Sequence, residues 1–400
     1  MTDGGARTKT LGACHKGDAM DKKNVNAKKI AELNAKAVEL YEADKIPEAI
    51  AVWREAAELG DAAAMNNIGC MCEEGYAENK PKAMMEAFGW YKKAAELGDA
   101  EAQLNTANAY HHGQGVKPSM TEAVKWYARA AEQGVAEAQF RLGECYDDAD
   151  GVEHDEKKAF QLYMAAAQQG HRKAQCYVGY CYQYGLGVAE DQEEAVEWYK
   201  KSAEQNYHQA YCNLGCCYEE GNGVEENMEM AIEMYLKAAE FGSSMAEYNL
   251  GNVYAFGKGV KQSDKEAVKW YQRAVMNGGM KEAKYNYAMH LMHGRGVKKD
   301  KRAAAALFIQ AAMQGDSDAQ YQAGMCYLQG VGIQEDDEEG FMWMMKSAEQ
   351  GDPDAQSMVG LCYAEGYGVE KDLEKAKAWY VRAAEQGSDT AIKALKKFNL

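Results

Sequence analysis

A pair of glycines, Gly185 and Gly187, stands just before a polar segment with a helical pattern. In nucleotide-binding proteins, a Gly-x-Gly loop lets backbone amides approach a phosphate at the start of a helix. That chemistry requires a β-strand before the loop and a βαβ unit around it. The residues before Gly185 provide neither, so a nucleotide site is not predicted and the glycines need another explanation.

The groups that carry out acyl transfer or metal-assisted hydrolysis form no recognisable constellation. Serine is scarce and scattered, and neither Gly-x-Ser-x-Gly nor His-Glu-x-x-His occurs in the sequence. Carboxylate pairs such as Asp147-Asp148 and Glu219-Glu220 recur where helices are predicted to end, which indicates a charged surface. We therefore predict that the chain is not an enzyme and needs no cofactor.

Histidine and cysteine side chains could hold a metal ion if four of them converged. Five of the 36-residue repeats that the chain contains separate His111 and His112 from His290 and His293, so we expect surface or groove histidines and not ligands. Adjacent cysteines in Cys70-Met-Cys72 and in Cys216-Cys217 point to different helix faces. The sequence predicts no metal site.

The glycine pair recurs along the chain at a nearly fixed spacing. Copies of Gly-x-Gly-Val begin at Gly113, Gly185, Gly221, Gly257, Gly294 and Gly366, with degenerate copies at Gly75, Ala149 and Gly330. Nine units end in Ala-Ala-Glu-x-Gly or a variant, at Gly98, Gly134, Gly170, Asn206, Gly242, Gly278, Gly315, Gly351 and Gly387. The period is 36 residues, as from Gly98 to Gly134. Such self-similarity indicates a solenoid.

Each unit reads as two amphipathic helices joined by the glycine loop. In the fourth unit, Ala174-Gln-Cys-Tyr-Val-Gly-Tyr-Cys-Tyr precedes the loop and Ala195-Val-Glu-Trp-Tyr-Lys-Lys-Ser-Ala follows it. Apolar or small residues three and four apart predict helices on both sides. The glycine pair ends the first helix with backbone angles that a Cβ would penalise. A glycine in the middle of the first helix lets the two helices approach, as at Gly143, Gly179, Gly215, Gly251, Gly324 and Gly360.

These units resemble the Sel-one-like repeat (SLR), a relative of the tetratricopeptide repeat, over residues 61–387. The resemblance implies an all-α protein: an α/α solenoid, a right-handed superhelix of antiparallel helix hairpins. It also implies a role as a scaffold or adaptor of protein complexes, without implying one reaction. Residues 26–60 are predicted to form a tetratricopeptide-like capping hairpin and residues 388–400 a capping helix with Lys393, Lys396 and Lys397 outward. Residues 1–25 have little to bury and are predicted to be disordered.

The cysteines follow the repeat. Cys145, Cys181, Cys217, Cys326 and Cys362 share one position on the buried stripe of the first helices. Equivalent helices in successive units are too far apart for a disulfide between them. A bacterial branch of the SLR family, reported to bind β-lactams, joins its first helix to its second by cysteines, but the second helices here have none. We expect reduced packing thiols, with Cys70, Cys176, Cys212 and Cys216 on the opposite, open stripe.

The chain carries 45 basic and 62 acidic residues, for a net charge of -17. This charge repels nucleic acids and anionic membrane surfaces and favours a basic partner. No apolar stretch approaches the roughly 20 residues that cross a bilayer, and the first 25 residues lack a secretory apolar segment. We therefore expect a soluble, cytoplasmic protein without membrane insertion or nucleic-acid binding.

The first-helix face opposite the core predicts where a partner binds. Toward the N-terminal half this face includes Asn66, Cys70 and Phe140 and is acidic; we name its carboxylates Glu73, Glu74, Glu144, Asp147, Asp148, Glu219 and Glu220 the acidic positions. In the C-terminal half it is rich in Tyr and Met; we name Tyr248, Phe256, Tyr285, Met289, Met292, Tyr321, Met325 and Leu328 the apolar strip. Asn252 and Leu361 lie on the same face.

This face has two interpretations. Either it is a concave groove for a protein or peptide with a basic and an amphipathic segment, because Met adapts and Tyr anchors, or its residues are buried against neighbouring units. Correspondingly, the predicted function is a non-enzymatic adaptor or scaffold. A structural subunit of a large multiprotein assembly is the alternative, and a hydrolase-like member of the family that binds β-lactams is the third.

Overall fold

The computed structural model describes residues 14–74 and 80–398, with side chains over residues 25–74 and 82–397. Within these residues the chain forms 21 α-helices and no strand, as predicted. The chain divides into two compact units, one up to Asp191 and one from Gln192. Each unit is a series of helix hairpins, and the two are described separately.

The first unit contains nine helices among its described residues. They are α1 (Cys14–Glu42), α2 (Ile46–Glu58), α3 (Ala62–Glu73), α4 (Lys80–Glu96), α5 (Ala100–His112), α6 (Met120–Glu132), α7 (Ala136–Asp147), α8 (Glu156–Gln168) and α9 (Arg172–Tyr184). Helix α1 begins inside the segment 1–25 for which the composition predicts disorder, so residue 25 is not a helix boundary. Residues 1–13 and the degenerate loop at Gly75 lie outside the described residues.

The second unit contains twelve helices among its described residues. They are α10 (Gln192–Ala203), α11 (His208–Glu220), α12 (Met228–Glu240), α13 (Ser244–Phe256), α14 (Asp264–Gly278), α15 (Lys281–His293), α16 (Lys301–Met313), α17 (Ser317–Leu328), α18 (Asp337–Glu349), α19 (Pro353–Glu365), α20 (Leu373–Glu385) and α21 (Asp389–Phe398). The side chains of Lys393, Lys396 and Lys397 on α21 are exposed, as predicted.

Short polar side chains fix the starts of many of the helices. Asp99 accepts a hydrogen bond from Ala102 N at 2.8 Å before α5, and Asp155 accepts one from Lys158 N at 3.0 Å before α8. Each cap satisfies a backbone amide that has no partner within the helix and contributes about 1 kcal/mol. The helix boundaries therefore follow from the residues that precede them.

The two loop glycines have different roles. Gly185 ends α9 in the left-handed region at φ 69°, as predicted for a glycine that closes a helix. Gly187 also has φ 69°, but a Cβ there would in addition overlap the backbone carbonyl of Glu156 at the start of α8. The second glycine therefore allows successive hairpins to touch, a contact that the sequence analysis did not foresee.

The small residue in the middle of the first helix packs against an aromatic ring of the second helix. A Cβ at Gly143 would lie 2.6 Å from Cε1 of Tyr163, which is 1% exposed. In the second unit Tyr380 covers Gly360 in the same way, at 2.8 Å. The prediction of a close helix approach is confirmed, and its partner is the buried tyrosine.

Glutamine side chains hydrogen-bond both within a hairpin and between neighbouring hairpins. Gln103 Nε2 donates to Ala95 O at 3.2 Å, and Gln133 Nε2 donates to Gln103 Oε1 at 2.8 Å. In the second unit, Gln320 and Gln350 repeat the second of these bonds at 2.7 Å. Because buried polar groups are costly without partners, this relay specifies how the hairpins pack.

The ten cysteines whose side chains are described are all thiols. The five at the predicted core position are buried: Cys145, Cys181, Cys217, Cys326 and Cys362. Cys70 and Cys216 are partly exposed, but Cys176 and Cys212 are only 2% and 1% exposed. The prediction of an open stripe is therefore wrong for Cys176 and Cys212, because the packing of the hairpins covers that side of the helix.

Candidate functional site

The acidic positions of the first unit are held partly by the fold itself. Glu73 Oε2 accepts a hydrogen bond from the Tyr91 hydroxyl at 2.7 Å, and Asp147 Oδ2 accepts one from the Tyr163 hydroxyl at 3.3 Å. Burial is the main cause that raises the pKa of Asp147. These two carboxylates therefore tie the first helix to the second of the same hairpin and have less freedom to bind a partner.

The remaining acidic positions of the first unit differ in their environment. Glu144 is partly buried, where burial raises its pKa, and its Oε2 lies 3.1 Å from Arg141 Nη1. Glu74 and Asp148 are exposed. Phe140, which the sequence places on the same open face, is only 1% exposed and packs 5.7 Å from the Tyr163 ring. That part of the predicted face is wrong, because Phe140 belongs to the core.

In the second unit, Glu219 forms both a hydrogen bond and an ion pair with other side chains. It accepts a hydrogen bond from the Tyr235 hydroxyl at 2.8 Å and forms an ion pair of 2.5 Å with Lys258. Glu220 is exposed and accepts a hydrogen bond from Asn222 Nδ2 at 2.7 Å. The acidic positions therefore supply scattered exposed charges and not one uniformly acidic surface.

The apolar strip lies entirely in the second unit and is partly buried. Phe256 is 71% exposed, whereas the other seven residues are intermediate between buried and exposed. Tyr285 packs on Phe308, with ring centroids 5.7 Å apart, and Tyr248 packs on Tyr271 at 6.1 Å. The apolar strip therefore packs against the core on one side, while part of each side chain remains in contact with solvent.

The strip continues through two adjoining core clusters. Met289 and Met292 pack with Tyr285 against the cluster around Phe308. Tyr321, Met325 and Leu328 pack against the cluster around Met344. The same two positions, a tyrosine and a methionine one turn later, thus recur in α15 and α17 with the same partial burial.

Aspartates border this part of the strip. The pKa of Tyr285 is raised, first by burial and then by the negative charges of Asp318, Asp316 and Asp352. Asp318 is largely exposed, but the partial desolvation of its carboxyl group is the first cause that raises its pKa, and the charges of Asp316 and Asp352 add to that effect. Apolar and anionic groups therefore occur side by side along this part of the strip.

The predicted histidine positions are not alike. His290 is 6% exposed, and its Nδ1 donates to the backbone oxygen of Arg295 at 3.0 Å. It is therefore a core residue, which corrects the prediction of a surface or groove histidine. His111 is partly buried and its Nδ1 lies 3.2 Å from the Tyr127 hydroxyl, while His112 and His293 are exposed.

The described residues contain neither a candidate metal-binding cluster nor a candidate membrane-spanning helix. Within them, no three or more His, Cys, Asp or Glu side chains come together in a way that could hold a metal ion. None of the described helices has the length and apolar character needed to cross a membrane.

Nine consecutive segments of the chain match the family model for the Sel1 repeat. They are residues 62–99, 100–135, 136–171, 172–207, 208–243, 244–279, 281–316, 317–352 and 353–388. The chain belongs to the Sel1-repeat family. The first of these segments contains α3 and α4, and within each unit the segments follow the helix pairs described above.

Two solved structures are similar over most of the Sel1-repeat chain. A protective antigen of uropathogenic Escherichia coli with an SLR fold is 28% identical, with a TM-score of 0.59, over 95% of this chain and 90% of that one. A Sel1 repeat protein from Oxalobacter formigenes is 33% identical, with a TM-score of 0.62, over 77% of this chain and 89% of that one. No match was found among curated proteins. Sel1-repeat proteins are typically scaffolds for protein interactions, and the α/α solenoid fold is established.

Proposed function

We propose that this Sel1-repeat protein is a non-enzymatic adaptor that binds a cationic amphipathic segment of a partner protein along the apolar strip. The observation that carries the proposal is the recurrence of Tyr285 and Met289 as Tyr321 and Met325, with all four side chains partly exposed. Tyr and Met provide much contact area, and Met adapts to irregular partners.

The second helix of each of these hairpins already fills the core, and this supports the proposal. The core position facing the first helix is filled by Phe308 in one hairpin and by Met344 in the next, and both are fully buried. Tyr285 and Tyr321 are therefore additional aromatic residues beyond those that fill the core. Their hydroxyl groups also let them contact water or a polar partner while the rings remain packed.

The bordering aspartates define the polar side of the ligand. Asp318 and Asp354 are exposed, and both lie close enough to affect the pKa of a strip tyrosine. Lys or Arg side chains on the ligand would pair with them at the rim of the contact. Rim charges mainly speed association, so the affinity should fall as salt rises.

A peptide selection tests the proposal. The purified protein is offered a library of amphipathic peptides that vary in apolar pattern and in charge. Peptides with large apolar residues three and four apart and flanking Lys or Arg should be enriched, because two neighbouring hairpins supply the contacts. Charge-reversed copies of the same peptides should be lost.

A variant with Tyr285→Gln, Met289→Gln, Tyr321→Gln and Met325→Gln should bind the selected peptides about tenfold or more weakly, since several anchors contribute to one interface. The matched control is Met276→Gln with Met313→Gln, two methionines of second helices that are 77% and 74% exposed. Circular dichroism checks that helicity is retained. Equal binding by both variants would refute the apolar strip as the binding surface.

A further inference from the structure

Helix α11 carries two thiols one turn apart. Cys212 is 1% exposed and Cys216 is partly exposed. Cys212 lies one helical turn before Cys216, and the hydrogen bond between the two thiols is the first cause that lowers the pKa of Cys216. The pair therefore consists of one enclosed thiol and one thiol that solvent reaches.

Two other side chains direct donors at the same sulfur atoms. Asn249 on α13 places its Nδ2 3.8 Å from Cys216 Sγ and 3.9 Å from Cys212 Sγ. The Tyr235 hydroxyl on α12 lies 3.4 Å from Cys216 Sγ. That hydroxyl has one proton, and Glu219 at 2.8 Å is its stronger acceptor. Cys212, Asn249 and the shared proton of Tyr235 are therefore the donor groups next to Cys216.

These donors favour the thiolate form of Cys216. Its pKa is lowered, first by the hydrogen bond from Cys212 and also by that from Tyr235, against burial and the charges of Glu219 and Glu220, which raise it. Lys258 partly offsets Glu219 through their ion pair. By contrast, burial raises the pKa of the adjacent Cys217 to about 12.

The first unit contains a natural control for this arrangement. Cys70 occupies the corresponding place in α3, directly after the glycine against which the second-helix tyrosine packs. Its neighbours are also similar, since Tyr91 is hydrogen-bonded to it and Glu73 is near. One turn earlier, however, α3 has Asn66, whose Oδ1 accepts from Asn105 Nδ2 at 2.9 Å.

The missing second thiol changes the chemistry of the control. No cysteine precedes Cys70 by one turn, and burial, the largest effect, raises its pKa. The pKa values of Cys70 and Cys216 therefore differ chiefly because Cys216 has Cys212 one turn before it. A second structural difference is Asn249, whose Nδ2 lies 3.8 Å from Cys216 Sγ.

We propose that Cys216 is a site of oxidation by hydroperoxides, with Cys212 as the positioning residue that donates to its thiolate. Thiolate, partial exposure and an adjacent thiol are the features of redox-responsive cysteines. In the reaction, the Cys216 sulfur attacks one peroxide oxygen, an S–O bond forms and the O–O bond breaks. The leaving oxygen takes the proton lost by the Cys216 thiol and departs as water or an alcohol, so sulfur loses two electrons and the peroxide gains them.

The product of this step is a sulfenic acid. Side chains four residues apart on a helix have Cβ atoms about 5–6 Å apart, whereas a disulfide requires about 3.5–4.5 Å. A bond between Cys212 and Cys216 would therefore have to distort α11. We assign the sulfenic acid as the state that persists in the intact helix.

The test treats the folded full-length chain with a limiting amount of hydrogen peroxide in the presence of a cyclic 1,3-diketone that traps sulfenic acids. Mass spectrometry of peptides then follows each cysteine. Cys216 should be trapped about tenfold faster than Cys70 at neutral pH, because a tenfold difference in thiolate fraction accompanies one pKa unit. In denaturant the two cysteines should react alike.

Substitutions separate the donor role from a structural one. Cys212→Ala should slow trapping at Cys216 about fivefold or more, whereas Cys212→Ser keeps a donor and should restore the rate to within about twofold. Equal rates at Cys216 and Cys70 in the folded chain would overturn the proposal, as would an unchanged rate in Cys212→Ala. Loss of two hydrogens from the Cys212–Cys216 peptide in place of trapping would overturn the sulfenic acid as product.

Discussion

The ring of Tyr163 lies directly against the α-carbon of Gly143, leaving too little room for a methyl group. Tyr163 is 1% exposed, and its hydroxyl donates to Asp147 on the same helix as Gly143. The ring cannot withdraw without losing both its buried area and this hydrogen bond. The contact between Gly143 and Tyr163 therefore sets the distance between α7 and α8.

Replacing Gly143 by Ala should destabilise the protein by about 1–3 kcal/mol, because an added carbon in a packed core forces its neighbours to move. The matched control is Gly89→Ala in α4, where an added Cβ meets nothing within 4 Å. This change should stabilise by about 0.5–1 kcal/mol, since Ala is the better helix former. Urea denaturation followed by circular dichroism compares them. A shift of the same sign in both variants would contradict the role of Tyr163.

The second loop glycine provides a test of the contact between hairpins. Gly187→Ala combines a positive φ of 69° with overlap of the Glu156 carbonyl, whereas Gly170→Ala has a positive φ of 85° but open space around it. The second variant isolates the backbone strain of about 1–2 kcal/mol. Gly187→Ala should cost more than Gly170→Ala, and hydrogen exchange should show the added loss in α8 and α9. Equal costs would mean that the hairpins do not press on this glycine.

A buried carboxylate replaces the usual amide in α13. Glu247 is 0% exposed and accepts hydrogen bonds from Arg273 Nε at 3.0 Å and from Asn277 Nδ2 at 2.8 Å. Glu247→Gln should leave the stability within about 1 kcal/mol of the parent, because buried ion pairs give little net stabilisation and Gln103 fills this place in the first unit.

The matched variant Glu247→Ala removes the acceptor altogether. It should lose about 1–3 kcal/mol, since Asn277 and Arg273 are left without their partner. Midpoints of urea unfolding measure both variants. If the Gln variant were as unstable as the Ala variant, the negative charge itself would be required, and the amide would not be its equivalent.

The ionised carboxylate of Glu137 should make the stability of the protein depend on pH. Its pKa is lowered from 4.5 to about 2, chiefly by the hydrogen bond from His171. His171 Nδ1 accepts from Ala174 N, so Nε2 carries the proton that it donates to Glu137 at 2.9 Å. Because the folded pKa is depressed, the stabilisation is present above pH 4.5 and is lost as the pH falls toward 2.

Glu137→Gln should abolish this pH-dependent contribution to the free energy of unfolding. The difference in unfolding free energy between the parent and this variant should be on the order of 1 kcal/mol at neutral pH, given the partial exposure of the carboxyl group. It should decline between about pH 4.5 and pH 2. Glu101→Gln, at the corresponding exposed place in α5, is the control. A difference that stays constant over this range would refute the assignment.

The sequence predicts the helices well because each unit repeats the same signals. The left-handed closure at Gly185 and the close approach at Gly143 both follow from local rules for glycine. The roles of Gly187 and Gln103 do not, because each depends on a residue of the preceding hairpin, and a single unit contains no sign of that contact.

The candidate site is harder to predict for a related reason. A helical wheel places Phe140 and Cys212 on the same side as Met289, yet the first two are buried and the last is partly exposed. That outcome depends on how far the neighbouring hairpin reaches across the helix. The sequence shows that Cys212 and Cys216 are one helical turn apart. It does not show that Asn249, from the next hairpin, lies near both sulfur atoms.

A Cβ at most of the second loop glycines would overlap the backbone near the start of the preceding hairpin's second helix, from Gly115 against Met84 to Gly368 against Asp337. Because these contacts between successive hairpins are alike, one hairpin can replace another. If recombination adds or removes one complete repeat, the glycine of the next hairpin still meets the same kind of backbone contact. An insertion of another length would shift that glycine away from its contact. Evolution can lengthen or shorten this chain in whole modules at little structural cost.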